Sequence, residues 1–210
     1  GYINESKEEY RRRKELTPMD NHCKNIVHIY SSFLWRIPPM REYGSAANSP
    51  ALQSFLKDCD LEGRGFNSFM REAQVWSSVY GHVWLMVDKP KSNAGTKAEE
   101  MAQDVRPYVN IYTPENVLDW KYERTASGRF KLIEMVIKEI CFYRKWTEEQ
   151  IMLYKVIDGD SELVESDDNA LGKIPAVFVP AQHSMTRGIG ASDLSDAAFM
   201  QKAIYQELSE

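Results

Sequence analysis

FNSFMREAQVWSSVYGHVWLMVDKP, residues 66–90, holds the pattern from which the fold is read. Phe66, Phe69, Met70, Ala73, Trp76 and Tyr80 recur at three- and four-residue spacing, which is one apolar face of a helix. Gly81 follows where a helix would end in the left-handed conformation that glycine adopts cheaply. Residues 83–87, VWLMV, then run apolar without a break until Asp88 and Pro90. Such a run suits a strand covered on both faces. A helix feeding a buried strand is the core of an α+β domain, and Phe66, Phe69, Trp76, Tyr80, Val83, Leu85 and Val87 are expected to form its structural core. No catalytic signature lies in this stretch.

Upstream, residues 5–15 (ESKEEYRRRKE) form a polar helical stretch with Glu8–Arg12 and Glu9–Arg13 at the favourable four-residue spacing. Thr17-Pro18-Met19-Asp20 reads as a helix start, with a hydroxyl cap, an early proline and an acid near the positive end. Cys23, Ile26, Val27, Tyr30, Phe33 and Leu34 are expected on one face of this helix until Pro38-Pro39 ends the pattern. After a small-residue loop over 43–48, Ser49-Pro50 opens another helix with Leu52, Phe55, Leu56 and Cys59 inside. Asp58, Asp60 and Glu62 imitate the start of a calcium loop, but Phe69 stands where the bidentate glutamate belongs and Arg64 adds positive charge. This segment is read as a turn between helices.

Downstream, residues 91–105 are polar and are read as a mobile insertion. YVNIY (108–112) alternates as a strand, and residues 117–123 and 129–139 flank Thr125-Ala-Ser-Gly128 as a hairpin. Residues 142–146 and 150–157 continue a meander, with a tight turn at Asp158-Gly159-Asp160 into 162–165. Ile174-Pro-Ala-Val-Phe-Val-Pro180 is a short apolar strand between prolines. About six strands are thus expected, packed on the helices of the first half. Ser192 is a cap candidate for a last amphipathic helix carrying Leu194, Ala197, Ala198, Ile204, Tyr205 and Leu208. That helix shows no C-cap before Glu210, and the chain begins Gly-Tyr, so an internal segment of a longer protein is expected.

The chain has 210 residues, 43% of them hydrophobic, enough for one large core that buries about 70% of the unfolded surface. Its net charge of −5 gives no global pull toward nucleic acid or anionic lipid. Residues 147–170 alone carry eight acids against Lys155, a local −7 that reads as a solvated face of strands and turns. The basic run 11–14 is offset by Glu8, Glu9 and Glu15, so binding to double-stranded DNA is expected to be weak and indifferent to sequence. Cys23, Cys59 and Cys141 are odd in number and form no CxxC pair, which fits a reducing compartment. No run approaches the roughly 20 apolar residues of a membrane span.

His22, His28, His82 and His183 show no metal-ligand spacing with one another or with the cysteines. His82, at the start of the buried strand, is read as a satisfied core histidine. GIGAS (188–192) lacks the third glycine and the lysine of a phosphate-binding turn, and neither GxSxG nor HExxH occurs. No catalytic, metal or cofactor residues are therefore assigned, and no cofactor is expected.

The order of KNIVHIYSSFLWRIPP, FLKDCDLEGRGFNSFMREAQVWSSVYGHVWLMVD, RPYVNIYTPENVLDW, LGKIPAVFVP and GIGASDLSDAAFMQKAIYQELSE resembles the N-terminal, wing-forming part of the portal proteins of tailed bacteriophages. Each motif is soft, and the likeness lies in their order over nearly the whole chain. The resemblance implies a non-catalytic structural subunit of a head-tail connector at one capsid vertex. The ring, of about twelve copies, passes double-stranded DNA in packaging and ejection and meets terminase, capsid and adaptor proteins. It is assembled in the bacterial cytoplasm and resident in the virion, without membrane contact. Residues 1–190 would be the wing, N-terminal helices on a mostly antiparallel meander. Residues 191–210 would start a helix toward a stem outside the chain, opened by Gly188, Gly190, Ser192, Asp193 and Leu194. DNA-contacting residues do not carry over, and the chain alone is expected to associate weakly. A metal-dependent phosphodiester or nucleotidyl enzyme and a non-catalytic adaptor are the alternatives. Convergent carboxylates in a cleft would mark the first, and an open apolar groove or bare strand edge the second.

Overall fold

Strand β1 (His82–Asp88) is the centre of the molecule, and its residues 82–86 are all buried. The computed structural model describes residues 5–92, 94–157 and 160–209, with the backbone alone at Lys97 and Met101. Because side chains alternate along a strand, β1 serves two cores at once. Val83 and Leu85 join Phe69, Ala73, Cys59 and Val109 beneath the helices. Trp84 and Met86 point the other way, into Met135, Ile137, Trp146, Val117 and Ile174.

Helix α4 (Phe66–Tyr80) runs into β1 through Gly81, whose φ of 89° is the left-handed cap expected there. β1 is the middle strand of a three-stranded antiparallel sheet, between β2 (Tyr108–Tyr112) and β8 (Ala176–Pro180). Trp84 stands opposite both Tyr112 and Phe178. Strands β3 (Val117–Arg124), β4 (Phe130–Lys138), β5 (Tyr143–Thr147), β6 (Gln150–Ile157) and β7 (Asp160–Asp168) form a separate antiparallel meander in sequence order. The layers are thus helices, small sheet, large sheet, which makes the chain an α+β fold. The expected single β region is two sheets, since YVNIY and AVFVP pair with β1 rather than with the meander. β7 is an edge strand exposed along nearly its whole length, so most of the acids of 147–170 do face solvent. The Asp158-Gly159 turn lies outside the described residues.

Four further helices precede the last one: α1 (Lys7–Leu16), α2 (His22–Leu34), α3 (Pro50–Lys57) and the short α5 (Lys97–Ala102). α5 lies inside the expected insertion, and Lys91 near it holds Glu165 and Asp167 of β7. α3 starts at Ser49-Pro50 as read. Thr17 does not cap α2. It ends α1, donating its hydroxyl to Arg13 O at 2.7 Å, while Pro18 blocks continuation. Asn21 caps α2 instead, accepting from the Lys24 N–H at 2.9 Å.

Two expected core positions are corrected. Trp76 is 38% exposed. α4 sits close to the sheet through Phe69, Ala73 and Ser77, whose hydroxyl donates to Val179 O at 3.0 Å. An indole does not fit that approach, so Trp76 lies on the flank with Nε1 donating to Glu72. Val87 is also 38% exposed, where β1 nears its end. Phe66 and Tyr80 are half-buried, and Phe69, Val83 and Leu85 are buried as expected.

Candidate functional site

The last helix, α6 (Ser195–Leu208), is laid against the N-terminal helices. Gln201 accepts from the His22 N–H and donates to Asp20 O, and the Tyr205 hydroxyl donates to Lys14 O. In its last described turn the Ser209 hydroxyl donates to Gln206 O and accepts from Arg13.

Ser192 is likewise not the residue at the helix start, which is Leu194. The structure gathers the expected stem-opening residues around the C-terminus of α4. The Ser192 hydroxyl donates to Ser78 O and Val79 O at 2.8 and 2.9 Å, satisfying carbonyls that a helix end leaves free. Asp193 accepts from the Ser78 hydroxyl and from the Gln182 amide, both at 2.9 Å. Gly190 meets Gly81 backbone to backbone, within the two-stranded ribbon of β9 (Gln182–His183) and β10 (Gly190–Ala191). Gly188 lies against the ring of Trp120, whose Nε1 donates to Arg187 O. Leu194 is buried. These five residues form a structural clasp.

His82 belongs to the same clasp, accepting from the Gly190 N–H at Nδ1, 3.3 Å away. Its Nε2 is buried with no partner among the described residues. The histidine is therefore only half satisfied, and burial pulls its pKa below 6.5. Unfolded chains bind a proton below 6.5 that the folded chain refuses. Stability is thus intact above pH 6.5 and is lost as pH falls from there through the folded value. A thermal melt of the parent is expected to drop between pH 7.5 and 5 more than that of His82→Asn, which keeps an acceptor and loses the titration. Equal drops would remove His82 as the cause.

The acid-bearing hollow of about 210 Å³ beside α4 is lined by Asp60, Glu62, Glu72 and Arg64 among others. Its three carboxylates converge on one guanidinium: Arg64 pairs with Asp60 at 2.7 Å, with Glu62 at 3.9 Å, and with Glu72. Asp58 is held by Arg106 and by the Gly63 N–H. The segment is the turn between α3 and α4 that the sequence indicated. Among the described residues, no three His, Cys, Asp or Glu side chains are grouped to hold a metal.

The feature that stands out is apolar. Only Val27 and Ser31 of α2 are buried, and the Ser31 hydroxyl accepts from Arg71 of α4. Ile26, Ile29, Tyr30, Phe33 and Leu34 are 47–71% exposed, and Ile37 and Met40 continue the strip. α6 adds Phe199, Met200 and Ile204. The sequence reading put Ile26, Tyr30, Phe33 and Leu34 on one face with Cys23 and Val27, and of that face only Val27 is buried. The signal was present in the sequence, since α2 is apolar around more of its circumference than one buried face needs. A groove of about 660 Å³ opens between α2 and α4, lined by Val27, Val75, Val79, Leu194, Trp76 and Cys23 among others. Contiguous apolar surface on this scale marks an interaction site. A scan against protein-family models and a search of the curated proteins each return no match for the chain.

Proposed function

We propose that the chain is a structural subunit of a portal-type ring at a tailed-phage capsid vertex, through which double-stranded DNA is packaged and ejected. The observation that carries it is the exposed apolar strip of α2, with its neighbour α6. Such a surface is costly in water and is resolved by burial against another protein. The portal identity rests on the order of sequence motifs, and with it the virion location and the terminase, capsid and adaptor partners. No helix among the described residues is long and apolar enough to cross a membrane.

The enzyme alternative needs carboxylates free to bind a metal or move a proton, and in the acid-bearing hollow Asp60 and Glu72 are held in ion pairs by Arg64. The adaptor alternative keeps one specific support, the groove between α2 and α4. Negative-stain microscopy of the protein in its complete form separates the two. Rings with a central hole are expected. Isolated single particles, or closed dimers, would overturn the portal reading in favour of the adaptor.

A further inference from the structure

We propose that α2 joins neighbouring copies of this chain head to tail, its outward strip seating in the groove between α2 and α4 of the next copy. This rests on the assembly reading above and names the surfaces that meet.

The first support is size. Ile26, Ile29, Tyr30, Phe33, Leu34 and Ile37 are between 47% and 77% exposed. At roughly 200 Å² per large side chain, they offer on the order of 700 Å², close to the roughly 800 Å² each partner gives to a standard interface. The strip also carries no charge, because Lys24 is the sole Lys, Arg, Asp or Glu of α2. The strip therefore brings no ion of its own from α2, and the charges at the contact are those of the groove, Lys24, Arg71 and Glu72.

The second support is direction. At 3.6 residues per turn, Ile26, Ile29 and Phe33 share one side of α2, and Lys24 and His28 lie about 100–180° round from them. Lys24 and His28 line the groove. The Ile29 and Phe33 side of the strip and the groove thus lie on different flanks of one helix, while Ile26, Tyr30 and Leu34 also border smaller hollows. A symmetric pair would stack strip on strip and leave both grooves empty. A head-to-tail contact fills each groove with the next copy's strip, and such contacts close into rings when the rotation between copies allows it. The receptacle offers the guest an apolar patch of Val27, Val75, Val79, Leu194 and Trp76, bordered by Lys24, Arg71 and Glu72.

Cys23 lines the groove and is partly exposed, which provides a native probe. Cys59 is buried, with its thiol pushed up to about 11 by burial and by the charge of Asp60, so it does not compete. The exposed Cys141 is removed as Cys141→Ser. In that background Ile29→Cys and Phe33→Cys are treated with a short bis-maleimide at high protein concentration and run on a denaturing gel. A ladder of dimer, trimer and longer species is expected from at least one variant, because each link joins the strip of one copy to Cys23 of the next. Adding Cys23→Ser is expected to erase the ladder. A single dimer band that survives Cys23→Ser would show strip-to-strip pairing and overturn the proposal. So would the absence of any band beyond those of Cys141→Ser alone. Rings under the microscope without a ladder would discard this contact and leave the assembly reading standing.

Discussion

Trp84→Ala is expected to lower the unfolding free energy by about 3–5 kcal/mol, the range for deleting a large buried aromatic. Trp84 is 1% exposed, in the central strand, and its ring lies 5.1 Å from Phe178, 6.1 Å from Trp120 and 6.5 Å from Tyr122. It is the contact between the small sheet and the meander, so the void left by alanine falls where two layers meet. Its indole N–H has no partner among the described residues. The loss is therefore one of packing, and Trp84→Phe is expected to recover part of it. Trp76→Ala is the control. The same chemical change on a flank 38% exposed is expected to cost well under half as much. Denaturant melts of the three variants check this, and equal costs for Trp84→Ala and Trp76→Ala would show that the core is centred elsewhere.

Gly190→Ala is expected to destabilise by more than about 4 kcal/mol, at the exceptional end for a single methyl. A Cβ on Gly190 would stand 2.1 Å from Gly81 O and 3.1 Å from Gln182 O. Both neighbours are backbone, so no rotamer relieves the clash. The same approach constrains Gly81, where a Cβ would meet Gly190 O at 2.6 Å and Ser192 N at 2.8 Å. Any shift there also disturbs the bonds from Ser192 to the end of α4 and from Gly190 to His82. Gly172 offers the contrast. Its φ is 58° with open space around it, so Gly172→Ala meets only the conformational penalty of about 1–2 kcal/mol. Thermal and denaturant unfolding of both variants provide the comparison. A Gly190→Ala protein that melts with the parent would mean that the clasp is not as close as described.

Where local chemistry decides, the sequence was sufficient. The helix–glycine–strand unit of residues 66–88, the Ser49-Pro50 helix start, the hairpin turn ending at Gly128 and the alternation of YVNIY all formed as read. Each rests on periodicity or on a turn residue within a few positions, and such signals do not need the rest of the chain. The α+β class followed from them.

Which strand pairs with which was decided only in three dimensions. AVFVP lies about ninety positions after β1 and still pairs with it, because it brings Ala176 and Phe178 to one core and Val179 to the other. Its pattern alone is equally compatible with a sixth meander strand. Helix faces were settled in the same way. Periodicity shows that α2 and α4 have apolar sides, but close packing selects which residues fit inside. At these contacts it chose Ala73, Ser77 and Ser31 over Trp76, Phe33 and Leu34. GIGASD was read as a helix opening, and its role as a clasp was not legible, because its partners are carbonyls and a glycine more than a hundred residues earlier. Sequence by itself determined the class and the longer elements, but not α5, β9 or β10. The tertiary structure alone decided the two-core role of β1, the clasp at Gly190 and the apolar strip left facing outward, because each depends on distances between segments that no local pattern encodes.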